Sequence, residues 1–174
     1  MKEIKKPDKT AVLIHHAANR IGNIPPNSLR ALKTCLDSGA RIVEVDINPL
    51  ADGDFALLHD HELETVTNGQ GVVSELTSEK VISLRHKVRG ELTDEPVCTL
   101  SQALKCLRAA TGEHLLQLDL KAFTPLAYSV LDGLAALIEP QKSRILVSSP
   151  ADWAIRRLYK IDPELLLGFD PMLY

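Results

Sequence analysis

Apolar positions along this chain fall into short runs, with helix-spaced leucines between them. The first run, residues 11–14, reads as a buried strand leading into His15. Residues 17–26 hold Gly22 and two prolines and read as a loop. Behind it, Leu29, Leu32 and Leu36 recur on one face of a helix that Asn27 is placed to cap. Gly39 suits the left-handed end of that helix. Residues 41–47 form the second predicted strand, in which Glu44 and Asp46 interrupt the apolar side chains. A tight turn at Asp52-Gly53-Asp54 leads to a third predicted strand, residues 55–60, ending in His59-Asp60.

Residues 61–96 are long for a loop inside a compact domain, so they are expected to be functional or to carry small elements of their own. They include a turn-rich segment at 67–71 and a short helix near 78–84. The spacing of Thr99 and Gln102 is a capping box. It opens a helix to about Ala110 that buries Leu100, Ala103, Leu104 and Leu107. Further strands are predicted at 114–120, 144–148 and 165–169, with a helix at 125–139. Ser149 is expected to cap another helix, with Pro150 in its first turn.

Strands and helices mostly alternate, which predicts a parallel sheet. Titratable groups at the ends of several strands fit an α/β barrel of the TIM type better than an open sheet, whose ligands gather in one crevice. Six predicted strands, against the eight of a complete barrel, place the chain short of the last strands. The first and sixth strands would then carry unpaired edges, through which the chain is expected to self-associate.

Composition narrows the classes. The 174 residues suffice for one domain with a sizeable core, and 45% of them are apolar, which is ordinary for a globular protein. The net charge is -3 and the basic residues are scattered, so no stripe for nucleic acid is expected. No apolar run approaches the roughly 18 residues of a membrane span. The first residues lack a hydrophobic signal core. Cys35, Cys98 and Cys106 show no metal-ligand spacing and read as reduced packing thiols in a cytoplasmic setting.

The chemistry lies where the pattern is broken. Glu44 and Asp46 are two apart on a strand, so both carboxylates point the same way. With Asp119 they make a candidate oxygen site for Mg2+ or Ca2+. The alternative is a structural network with lysines or arginines. Burying two charges in an apolar strand is costly, which favours the metal. His15 and His59 flank the acidic strand and are candidate acid and base. His16 competes with His15, because adjacent strand residues face opposite sides. Lys121 lies two residues beyond Asp119, placed either to neutralise a phosphate oxygen or to pair with Glu44 or Asp119. His61, His86 and His114 read as surface residues and Trp153 as packing.

In order and spacing these residues resemble the glycerophosphodiester phosphodiesterase family. The resemblance covers nearly the whole chain. It is carried by Glu44-Val45-Asp46, Ala51-Asp52-Gly53, Leu58-His59-Asp60, Leu63 and Thr67-Asn68-Gly69. Pro26-Asn27-Ser28-Leu29 stands at the family's glutamate-asparagine-threonine helix start, and Leu118-Asp119-Leu120-Lys121 at its glutamate-x-lysine strand. The resemblance implies a TIM barrel with a small insertion at about 61–96, in a domain spanning 11–174 behind a polar tail at 1–10. It implies hydrolysis of a glycerophosphodiester substrate to an alcohol and glycerol 3-phosphate with Mg2+ or Ca2+. It makes His15 and His59 the acid-base pair, Glu44, Asp46 and Asp119 the metal ligands, and Lys121 a phosphate contact. There are departures. The family's opening histidine-arginine-glycine is His15-His16-Ala17 here. His16 thus stands at the place of the phosphate-binding arginine, and Arg20 in the same loop is a candidate replacement. Pro26 replaces a glutamate, and Asp119 is one methylene shorter than the family's residue. They leave a second expectation, a catalytically impaired relative that binds a phosphorylated ligand or a protein partner.

Overall fold

The computed structural model describes residues 13–19, 24–121 and 124–170. Its strands are β1 (Ile14–His15), β2 (Ile42–Pro49), β3 (Phe55–Ala56), β4 (Arg85–Val88), β5 (Glu91–Pro96), β6 (Leu115–Leu120), β7 (Ile145–Ser149) and β8 (Leu166–Phe169). Its α-helices are α1 (Leu29–Asp37), α2 (Ser78–Ile82), α3 (Leu100–Ala109), α4 (Tyr128–Ile138) and α5 (Asp152–Ile161). The Arg20 position and the 1–10 tail lie outside the described residues.

Five parallel strands run in the order β1-β2-β6-β7-β8. The register of β2 against β6 sets Val43 beside Leu116, Val45 beside Leu118 and Ile47 beside Leu120. All six are fully buried in the main core with Leu32, Leu100, Leu107, Leu131 and Leu158 of the helices. Each such burial contributes about 1.5–3 kcal/mol. Together they outweigh the several kcal/mol it costs to desolvate the carboxylates that alternate with them, Glu44 and Asp46. Strand alternation thus drives an apolar face onto the helices and carries the acids to the opposite face. This is the open α/β barrel architecture, with five parallel strands among the described residues and not the six expected.

The missing sixth is the 55–60 run. Only Phe55 and Ala56 pair, and they pair antiparallel with Asn48 and Pro49 at the end of β2. The five residues between β2 and β3 make a hairpin turn. A parallel partner would need a crossover of a dozen or more residues. Beyond it, residues up to Val97 fold over a second small core of Leu50, Leu58, Leu63, Val73, Val81 and Leu84, with α2 and the β4-β5 hairpin around it. The outer edges of β1 and β8 have no strand partner among the described residues, and Leu13, Ile14, Leu166 and Phe169 are exposed there.

Local details differ from expectation in three places. Ser28, not Asn27, caps α1, accepting the Ala31 N–H on its Oγ. Ala151 is the N-cap of α5, while the Ser149 hydroxyl donates to the Leu120 carbonyl and accepts the Ala151 N–H. His86 and His114 are buried, not on the surface, and His114 binds the carbonyls of Ala40 and Thr111. The capping box at Thr99 and Gln102 forms as read. No helix among the described residues is long and apolar enough to cross a membrane.

Candidate functional site

Asp46 and Asp119 are register partners on adjacent strands, and Glu44 lies one pleat back on the same face. One carboxylate oxygen from each of the three lies within 4.8 Å of the others, and all three residues are buried. Three acids this close repel one another, so each is held by neighbouring groups.

Glu44 Oε2 accepts the Ala17 N–H at 2.6 Å and lies 2.7 Å from His16 Nδ1. Ala17 and Ala18 both adopt φ of 51°, in the left-handed region that L-residues avoid. That turn aims the Ala17 N–H at the carboxylate. Glu44 Oε1 is buried with no hydrogen-bond partner. Burial raises the Glu44 carboxyl above the ordinary carboxylate range, the Ala17 N–H works against that, and Asp46 adds to it.

Asp46 Oδ2 accepts from Asn27 Nδ2 at 2.7 Å, and the Asp46 N–H donates to Asn27 Oδ1 at 3.0 Å. Asn27 reaches strand β2 because its backbone is left-handed, with φ of 57°. Asp46 Oδ1 lies 2.8 Å from Lys121 Nζ, a close ion pair without hydrogen-bond alignment. The same ammonium donates to Asp119 Oδ2 at 2.6 Å. Asp119 Oδ1 accepts the Ser148 hydroxyl at 2.8 Å, and that hydroxyl accepts from Gln117 Nε2 at 3.0 Å. Burial works to lower the Lys121 pKa, but its hydrogen bond to Asp119 and its close pairing with Asp46 overcome this and raise it.

The donor set fits a hard divalent cation. It offers carboxylate oxygens only, carries more negative charge than one ammonium cancels, and leaves Glu44 Oε1 bare. The histidines divide. His16 is the ring that meets the cluster at hydrogen-bonding distance. His15 is half-buried and stands beside Val43 in the register. His59 is exposed, its Nδ1 2.7 Å from Asp60 Oδ1. Asn48 donates to the carbonyls of Leu58 and His59 at 2.7 and 3.3 Å and so ties the His59 backbone to the end of β2.

Sequence reasoning missed Asn27, Asn48 and Ser148 as site residues. The one available signal was Asn27, a residue that tolerates the left-handed region. A cavity of about 110 Å³ borders Lys121, lined also by Asn48, His61, Ser74 and Thr124. A larger one, about 500 Å³, lies at the opposite end of the strands, around Arg41, His114 and Arg144. The smaller is the candidate site on chemical grounds, since it borders Lys121 beyond the carboxyl ends of the strands, where parallel α/β folds place their chemistry.

Comparison with known proteins identifies the family of this fold. The family model of the glycerophosphoryl diester phosphodiesterase family matches residues 19–127. The glycerophosphodiester phosphodiesterase of Caldanaerobacter subterraneus subsp. tengcongensis is 26% identical over 164 residues, covering 92% of this chain and 66% of that protein. Human glycerophosphodiester phosphodiesterase 1 is 31% identical over 109 residues, covering 60% of this chain and 32% of that protein. Among solved structures, an Oleispira antarctica phosphodiesterase in complex with the product sn-glycerol-3-phosphate superposes with a TM-score of 0.77 at 25% identity. That match covers 90% of this chain and 64% of the other. The chain thus spans between about a third and two thirds of the length of these relatives. With the matched segment starting just after the left-handed turn, running through β6 and holding all three carboxylates, the chain belongs to the glycerophosphoryl diester phosphodiesterase family.

Proposed function

We propose that this chain carries the catalytic site of a metal-dependent phosphodiesterase that hydrolyses glycerophosphodiesters to an alcohol and glycerol 3-phosphate. The observation that carries the reading is the convergence of Glu44, Asp46 and Asp119 around an unpartnered buried oxygen. These three would hold Mg2+ or Ca2+, which supplies Lewis-acid polarisation of a phosphate oxygen when bound. Lys121, next to that position, offers its ammonium to a phosphate oxygen. His59 and His15 are assigned the proton transfers, one taking the proton of the attacking hydroxyl and the other returning one to the leaving alkoxide. His16 and Arg20 are assigned to the phosphate side of the site.

One observation favours a second reading. Lys121 already bonds two of the three carboxylates, so the site is partly neutralised before any ion arrives. In that reading the chain binds a phosphorylated ligand without turning it over. The edges of β1 and β8, unpaired among the described residues, support self-association under either reading.

The deciding assay incubates the chain with glycerophosphocholine and glycerophosphoethanolamine, with Mg2+ or Ca2+ and then with chelator. Metal-dependent release of glycerol 3-phosphate, lost in His59→Ala, is expected. Metal binding with no release in either substrate selects the second reading.

A further inference from the structure

Asp60 and Thr65 have no part in the function proposed above, yet they sit directly behind one of its proton-transfer groups. The Thr65 hydroxyl donates to Asp60 Oδ2 at 2.8 Å. Its other neighbour, the Glu62 carbonyl, is at 3.5 Å, the far limit of a hydrogen bond. Asp60 Oδ1 faces His59 Nδ1 at 2.7 Å. The carboxylate has only lone pairs to offer, so the proton of this contact belongs to the imidazole. A neutral imidazole carries one N–H, and a contact of this kind favours placing it on Nδ1.

We propose that Asp60 and Thr65 are positioning residues that fix the tautomer and aim of His59, so that Nε2 is the nitrogen that exchanges protons with substrate. This rests on the phosphodiesterase reading for its purpose, though the tautomer itself does not. Asp60 needs such a holder. It is part-exposed and borders an open cavity of about 280 Å³ lined also by His61, Glu62 and Thr65. Packing alone leaves its carboxylate free to rotate, and the Thr65 hydroxyl pins the second oxygen. The His59 hydrogen bond outweighs desolvation by burial and, with the Thr65 hydrogen bond adding to it, holds the Asp60 carboxyl below the usual carboxylate range. It therefore remains an acceptor at neutral pH. The order of groups is hydroxyl to carboxylate to imidazole, with the working nitrogen at the far end.

The test reads the ring itself. Nitrogen-15 NMR of histidine-labelled full chain at neutral pH, with His59 assigned by its loss in His59→Gln, is expected to show protonated Nδ1 and an acceptor-type Nε2. Asp60→Ala is expected to shift His59 to the Nε2–H form, and Thr65→Val to give a mixture of the two. If turnover is measurable, Thr65→Val is expected to lower kcat about tenfold with KM held within twofold. An Nε2–H ring in the unmodified chain, or an unchanged ring in Asp60→Ala, overturns the proposal. The expected tautomer in a chain with no turnover upholds it and sinks the catalytic reading instead.

Discussion

Asn27 grips Asp46 at both ends, donating its amide to Oδ2 at 2.7 Å and taking the backbone N–H on its own oxygen at 3.0 Å. The two residues are 19 apart in sequence, and the contact requires Asn27 to hold a left-handed backbone. One side chain thus orients a candidate metal ligand and anchors the start of α1 to β2.

Asn27→Ala removes both bonds at once. A buried carboxylate losing a hydrogen bond costs about 1.5–3 kcal/mol, and a left-handed alanine adds about 1 kcal/mol. Urea unfolding is expected to show a loss of about 3 kcal/mol. Asn27→Gly, free of the backbone cost, is expected to recover about 1 kcal/mol of that. Outer contacts of metal ligands also tune affinity, so cation binding is expected to weaken 10–100-fold in both variants. Equal stability of Asn27→Ala and the unmodified chain would remove Asn27 from the site.

Adding Mg2+ or Ca2+ is expected to raise the unfolding free energy as RT ln(1 + [L]/Kd), about 2.7 kcal/mol at a hundredfold excess over Kd. Glu44→Gln, which neutralises the acid bearing the bare oxygen, is expected to abolish most of that gain. Lys121→Met leaves Asp46 and Asp119 without their shared ammonium. It is expected to lower stability in chelator and to increase the stabilisation on adding metal. Thermal shifts identical in chelator and metal for the unmodified chain would tell against a cation site here.

Local signals were read from the chain with success where the physics was local. The capping box at Thr99 and Gln102 closes within one helical turn, and it forms. The 41–47 run was legible because alternation alone carries Glu44 and Asp46 to one face. The 55–60 run was misread because its apolar content says strand, while the short hairpin before it forbids a parallel one. Asn27 was misread as a cap because its role is set by Asp46, a distant partner no local pattern reveals. His86 and His114 were misread as exposed because a polar residue's burial depends on which carbonyls and side chains the fold brings to it.

Ile14 and Phe169 are exposed apolar residues on the two edge strands, which have no outer strand partner among the described residues. Unpaired backbone flanked by apolar side chains templates association. Sedimentation velocity is expected to show mass rising with concentration, and Ile14→Lys with Phe169→Lys is expected to reduce it. A single monomeric species at every concentration, with or without those lysines, contradicts the expectation.

His86 lies in the smaller core region, buried, with its Nε2 lacking any hydrogen-bond partner. Desolvation lowers its pKa from 6.5 to about 4. The unfolded chain takes up a proton near pH 6.5 while the folded ring refuses it until about 4. In that window the unfolded state binds more protons, so stability rises with pH and is lost as pH falls. Between pH 7 and pH 5 the loss from this one ring is about 2 kcal/mol. Carboxylates also begin to titrate there, so the informative comparison is with His86→Leu, which keeps an apolar side chain and has no proton to bind. Urea midpoints at pH 7 and pH 5 are expected to differ clearly less in His86→Leu than in the unmodified chain. The same pH dependence in both would mean that His86 is hydrated and titrates normally in the folded protein.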